Sequence, residues 1–81
     1  MESIIKCKCI RKSKLRNINF LSNAHFKNLK YLCLSNNKIS DIGILEKVKF
    51  DQLEKIDLVY NNIDKNKCSY ISKKVKFKLE F

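Results

Sequence analysis

Residues 29–39 read LKYLCLSNNKI and residues 53–63 read LEKIDLVYNNI. Leu29, Leu32, Leu34, Asn37 and Ile39 of the first stretch correspond to Leu53, Ile56, Leu58, Asn61 and Ile63 of the second. The first spells L-x-x-L-x-L-x-x-N-x-I, the second matches it with Ile56 in place of the second leucine, and the offset between them is 24 residues. The step of two between Leu32 and Leu34 puts both side chains on one face of a strand. The same offset extends outward from this core. Leu15, Ile18, Leu21, Ala24 and Phe26 meet Ile39, Ile42, Leu45, Val48 and Phe50 with no gap. Steps of three through Ile39, Ile42, Leu45 and Val48 suit a 3₁₀ or short helical segment. One unit therefore alternates a short strand with a helical return. A single unit has no second layer to cover its apolar side, so stacked units must share one core.

Beyond this window the repeat decays. The offset places Lys8 on the strand position of Leu32, where a charge would be costly if buried. Sliding the register by one turns Ile5, Cys7 and Cys9 inward and Lys6 and Lys8 outward, and this alternation predicts a first strand over about 4–10. At the other end, Asn66 and Ser69 fall on the places of Ile42 and Leu45, so the third return is degenerate, with Cys68 and Ile71 its core-facing candidates. Val75, Phe77, Leu79 and Phe81 then alternate with Lys76, Lys78 and Glu80, a last strand with one apolar face. Four short parallel strands are expected, near 5–10, 31–34, 55–58 and 75–80. The chain reads as one domain, 1–81, with an N-terminal cap and strand over 1–14, regular repeats over 15–63 and a C-terminal cap and strand over 64–81.

The repeated pattern resembles the leucine-rich repeat family, in particular its short cytosolic subclass with I-x-x-I-x-x-L on the return. The resemblance spans Leu15 to Ile63. It implies an α/β fold: a leucine-rich-repeat solenoid fragment, with short parallel strands on the concave face and 3₁₀ or short helical returns on the convex face. It implies no enzymatic activity. Partner binding would fall on the concave face, where the outward strand positions are Tyr31, Cys33 and Ser35 beside Lys55, Asp57 and Val59. In parallel register Tyr31 would neighbour Lys55 and Cys33 would neighbour Asp57, with Lys6, Lys8, Lys76, Lys78 and Glu80 added by the outer strands. The implied partner is a protein or peptide segment. Asn37 and Asn61 match the family's asparagine position. There a buried amide can serve the backbone groups that lose their ladder partners at the turn, so these two are assigned to a structural asparagine ladder.

Charge is distributed unevenly. Of 18 basic and 8 acidic residues, six basic and one acidic lie in residues 1–20, six of each in 21–64, and six basic and one acidic in 65–81. Two basic ends on a neutral middle suit edge strands protected against pairing with other chains, and the Lys, Asn and Ile excess suits an AT-rich coding sequence. They also leave a nucleic-acid partner as the alternative reading, with Arg11-Lys12-Ser13-Lys14 as its phosphate-contact or nuclear-localisation run. A repeat remnant with no independent function is a second alternative, and an edge-strand dimer is a further association to test. No apolar run approaches the roughly 18 residues of a membrane span.

Chemistry other than binding has thin support. Cys7 and Cys9 form C-x-C rather than the C-x-x-C knuckle of structural zinc sites. Pointing inward, they would not converge with a concave Cys33, so no metal and no cofactor is expected. Absence of an N-x-S/T sequon and of a secretory h-region suggests an intracellular protein, cytoplasmic or alternatively nuclear, with free thiols. His25 aligns with the convex Lys49, far from any cysteine that could act as a nucleophile.

Overall fold

The computed structural model describes residues 7–23 and 28–81. Four three-residue strands, β1 (Cys7–Cys9), β2 (Tyr31–Cys33), β3 (Lys55–Asp57) and β4 (Lys78–Glu80), form one parallel sheet in chain order. The returns are a 3₁₀ segment over Asn19–Asn23, a second over Gly43–Glu46, and one helix, α1 (Lys65–Ser72). Register follows the repeat. Cys7 lies opposite Tyr31 and Tyr31 opposite Lys55, each one 24-residue unit apart, while Lys55 lies opposite Lys78, one residue closer.

The core consists of the positions that recur. Ile18, Leu21, Leu29, Leu32, Leu34, Ile39, Ile42, Leu45, Leu53, Ile56 and Leu58 are buried, and Leu15, Val48, Phe50 and Ile63 pack partly buried against them. Each unit thus contributes strand residues at a spacing of two and return residues at a spacing of three to one shared interior. Ala24, His25 and Phe26 lie outside the described residues, as do Ile5 and Lys6.

Asn37 and Asn61 hold the turns after the strands. The Asn37 Oδ1 accepts from the backbone N–H of Ser13 (3.0 Å) and Leu15 (3.2 Å). Its Nδ2 donates to the carbonyls of Ile10 (2.8 Å), Leu34 (3.0 Å) and Ser35 (3.2 Å). Asn61 repeats the arrangement one unit on, accepting from Ile39 N–H and donating to Leu34, Leu58 and Val59 carbonyls. Each amide so joins its own turn to that of the preceding unit.

The ends depart from the expected pattern in three ways. First, the one-residue slip of β1 does not occur. Lys8 lies opposite Leu32, and Cys7 and Cys9 are exposed rather than inward. Two contacts enforce this parity: Ile10 packs against the core, and its carbonyl is the Asn37 partner. Lys8 tolerates the position because it is only half-buried at the terminal unit, where its aliphatic stem can cover apolar surface. Second, the third return is an α-helix. Asp64 caps it by accepting from Asn66 N–H at 2.8 Å, which satisfies one of the orphan donors of the first turn. Cys68 and Ile71, three residues apart, are its buried residues, as the sequence suggests. Third, the last strand starts only at Lys78. Lys74 and Val75 still bond back to the Ile71 carbonyl, and the terminal Phe81 is 46% exposed instead of completing an apolar face.

A left-handed backbone recurs at equivalent turn positions. Lys12, Asn36 and Tyr60 have φ of 55°, 58° and 58°. The amides of Lys12 and Asn36 bond to Asn36 and Val59 carbonyls of the following unit, at 3.0 and 3.1 Å. Asparagine tolerates this conformation, whereas other side chains pay about 1–2 kcal/mol. Tyr60 is 78% exposed and loses little burial on replacement. Tyr60→Asn, copying Asn36, is expected to stabilise the fold by about 1 kcal/mol, read as a higher urea midpoint at an unchanged m-value.

Candidate concave binding face

The parallel registers assemble two rows across the strand face. Cys7, Tyr31, Lys55 and Lys78 form one row, and Cys9, Cys33, Asp57 and Glu80 form the next. Leu32, Ile56 and Leu79 alternate with them into the core. The pairs Tyr31 with Lys55 and Cys33 with Asp57 lie side by side, as the repeat offset requires.

The two halves of this face differ chemically. On the β3–β4 side, Lys55 Nζ meets Glu80 Oε1 at 2.9 Å, and Lys78 Nζ reaches the same oxygen at 4.0 Å. The hydrogen bond with Glu80 raises the Lys55 pKa, and the Lys55 ammonium lowers that of Glu80. Both groups are well hydrated, so the pair fixes orientation more than it stabilises. Asp57 is turned toward its own chain: its Oδ1 accepts from Val59 N–H at 3.0 Å, and its Oδ2 lies 3.9 Å from the Cys33 sulfur. On the β1–β2 side the polar atoms are thiols and a hydroxyl. Ser35 is only 4% exposed and sits 3.4 Å from Cys33 Sγ. It supports Cys33 and offers a partner almost no surface. Val59 is half-buried. Tyr31, 47% exposed, stands between the two halves and is the large apolar group of the face.

Several sequence expectations for this surface need correction. Lys8 is on the core side of β1, Lys76 precedes β4, and Lys6 is outside the described residues. In their place the face gains Cys7 and Cys9. The two positions, expected to diverge, instead come together, since Cys9 lies directly opposite Cys33 on the same face. An identity at the 24-residue offset, Cys9 with Cys33, was the sequence signal for this meeting. Among the described residues no three His, Cys, Asp or Glu side chains are grouped to hold a metal ion. His25, the sole histidine, lies outside the described residues.

Two further features flank the face. Past the end of β3, Val59, Tyr60, Ile63, Lys65 and Phe81 line an open cleft of about 450 Å³. Where the chain leaves β1, Arg11, Lys12, Lys14 and Arg16 are all exposed. Lys38 of the next unit joins them through its N–H bond to the Leu15 carbonyl. No helix among the described residues is long and apolar enough to cross a membrane.

A family model described as leucine-rich repeats, in two copies, matches residues 27–68. No curated protein and no solved structure matches the chain.

Proposed function

Because the chain belongs to the leucine-rich repeat family, and so to a class of protein-interaction modules, we propose that it binds a short peptide or helical segment of a partner protein on its concave face. Tyr31 carries this reading. It is an exposed aromatic at the centre of the sheet, with its neighbour Lys55 held in place by Glu80. Tyrosine buries much area at little entropy cost and is a frequent anchor at interfaces. The four three-residue strands among the described residues make a small surface, which suits one segment rather than a whole domain. Cys33, Asp57 and Val59 form the floor beside the anchor.

Selecting displayed peptides on the immobilised protein tests the reading. Selected peptides should lose about tenfold or more in affinity with Tyr31→Ala, a loss of more than about 1 kcal/mol as expected of an anchor. The melting midpoint should not change, because the ring is half in solvent. Equal affinity for the variant would move the binding surface away from the strands.

One observation favours a second reading. The exposed cluster Arg11, Lys12, Lys14, Arg16 and Lys38 takes no part in the ion pairs seen among the described residues, which involve Lys55, Lys74 and Lys78. A nucleic-acid partner on this loop edge would bind with an affinity that falls steeply with salt, through counterion release. A peptide on Tyr31 would show a shallow dependence.

A further inference from the structure

Three of the four cysteines share the concave face: Cys7 and Cys9 on β1 and Cys33 on β2. Their positions are not equivalent. Cys9 lies directly opposite Cys33 in the parallel register, whereas Cys7 lies opposite Tyr31. Neighbouring strands run about 4.8 Å apart, inside the Cα separation of about 4.4–6.8 Å that a disulfide spans. Both side chains leave the same side of the sheet from directly paired positions. Cys9 is exposed and Cys33 half-exposed, so a small oxidant in solvent reaches both. Cys68, fully buried on the inner side of α1, is not reached.

We propose that Cys9 and Cys33 form a peroxide-reactive thiol pair, which closes to a disulfide linking β1 to β2 while Cys7 stays free. The inference does not depend on what the concave face binds.

The surroundings of the two sulfurs set the order of events. Burial pushes the Cys33 thiol up, but the hydrogen bond with Ser35 and the neighbouring Cys9 thiol outweigh it and leave the pKa below the usual thiol value, with Asp57 opposing. Cys9 is pushed the other way, first by the neighbouring Cys33 thiol and then by burial, although Arg11 pulls it down. The thiolate is the reactive form, so Cys33 attacks and Cys9 resolves. The Cys33 sulfur takes one oxygen of a hydroperoxide, the O–O bond breaks, and the departing oxygen leaves as water or an alcohol. Cys33 is then a sulfenic acid. The Cys9 sulfur displaces its hydroxyl, the S–S bond forms, and a second water carries away the Cys9 proton. Two thiols are oxidised by two electrons and one peroxide is reduced. The product staples β1, which pairs with β2 alone among the described residues, to its neighbour across a full repeat unit, so the oxidised protein should melt at a higher temperature.

Hydrogen peroxide added in equimolar amount to the reduced protein tests this by mass spectrometry. The expected product is a monomer lighter by two hydrogens, with two thiols still open to alkylation after denaturation. Trypsin separates Cys7 from Cys9 by cutting after Lys8, so the linked peptide is unambiguous: it should join Cys9 to the 31–38 peptide. Cys7→Ser should leave the crosslink and its rate unchanged. Cys9→Ser should abolish it and leave a Cys33 sulfenic acid that a dione probe captures. Both substituted side chains are exposed, and circular dichroism confirms the fold before oxidation. A crosslink to Cys7, disulfide-linked dimers in place of the monomer, or Cys33 left reduced while Cys7 oxidises would each overturn the proposal.

Discussion

Asn37→Ala should destabilise the protein by about 3 kcal/mol, read as a shift of the urea midpoint. This side chain serves two N–H groups, of Ser13 and Leu15, and three carbonyls, of Ile10, Leu34 and Ser35. Alanine removes all five partners at once. Leaving one buried polar group unpaired costs about 1–3 kcal/mol. The exposed Ser13 turn can recruit water and the Leu34 carbonyl keeps its bond from Asn61, but the Ser35 carbonyl sits behind a residue that is 8% exposed. Because the bonds cross from one unit to the previous one, the loss also weakens the seam between them. A domain this small rarely holds more than about 3–5 kcal/mol in its core, so the variant should be only marginally folded at ordinary temperature. Asn61→Ala should cost less. Asn61 makes four bonds rather than five and is more exposed. Equal stability of Asn37→Ala and the wild type would remove the ladder from the list of forces holding the fold.

The middle of the chain was legible because every buried apolar position there recurs with its chemical type, from Ile18 and Ile42 to Leu34 and Leu58. Such a repeat fixes both the period of the strand and the side of the chain that faces inward. The ends were harder because a terminal unit lacks one neighbour. The outward reading of Lys8 rests on its position being buried, but at an edge the same position is half open. The competing signals were Ile10, which matches Leu34, and Cys9, which matches Cys33. Both required the unslipped register. The helical third return was similarly hidden by Asn66 and Ser69, which break the step of three. A different spacing was present, with Asp64 as a cap and Cys68, Ile71 and Val75 at intervals of three and four, the marks of an α-helix. For the concave face, the sequence specified which side chains lie side by side. It could not specify that Ser35 is buried or that Asp57 is engaged by its own backbone, since both depend on how tightly the turn closes.

The last unit shows how far the repeat can be replaced without loss of the core. Phe77 is 8% exposed and meets Phe50 edge-on, with ring centroids 5.8 Å apart and planes at 90°. Neither ring lies on the strand face; together they close the convex side between the second return and the start of β4. Deleting a buried phenylalanine costs about 3–5 kcal/mol, and an edge-to-face pair adds about 0.5–1.5 kcal/mol to what burial alone supplies. A cleft of about 350 Å³ beside Val48, Phe50 and Val75 gives the site room to relax and admit water, so Phe77→Ala should fall near the lower end, at about 3 kcal/mol. Phe77→Leu should cost less because it keeps most of the volume. Where the loss appears is as informative as its size. In a stacked array each unit contacts only its neighbours, so a weakened terminal unit opens first. The Lys78 amide, bonded to the Glu54 carbonyl at 2.9 Å, and the Leu58 amide, bonded to the Glu80 carbonyl at 2.7 Å, depend on β4 staying in place. The Leu34 amide, bonded to the Asp57 carbonyl at 2.8 Å, does not. Hydrogen exchange of Phe77→Leu should therefore speed up at Leu58 and Lys78 well before Leu34. Uniform acceleration at all three amides would mean that α1 and β4 are not a detachable cap. They would then be an integral part of a single cooperative unit, in which an α-helix stands in for the 3₁₀ return without loosening the stack.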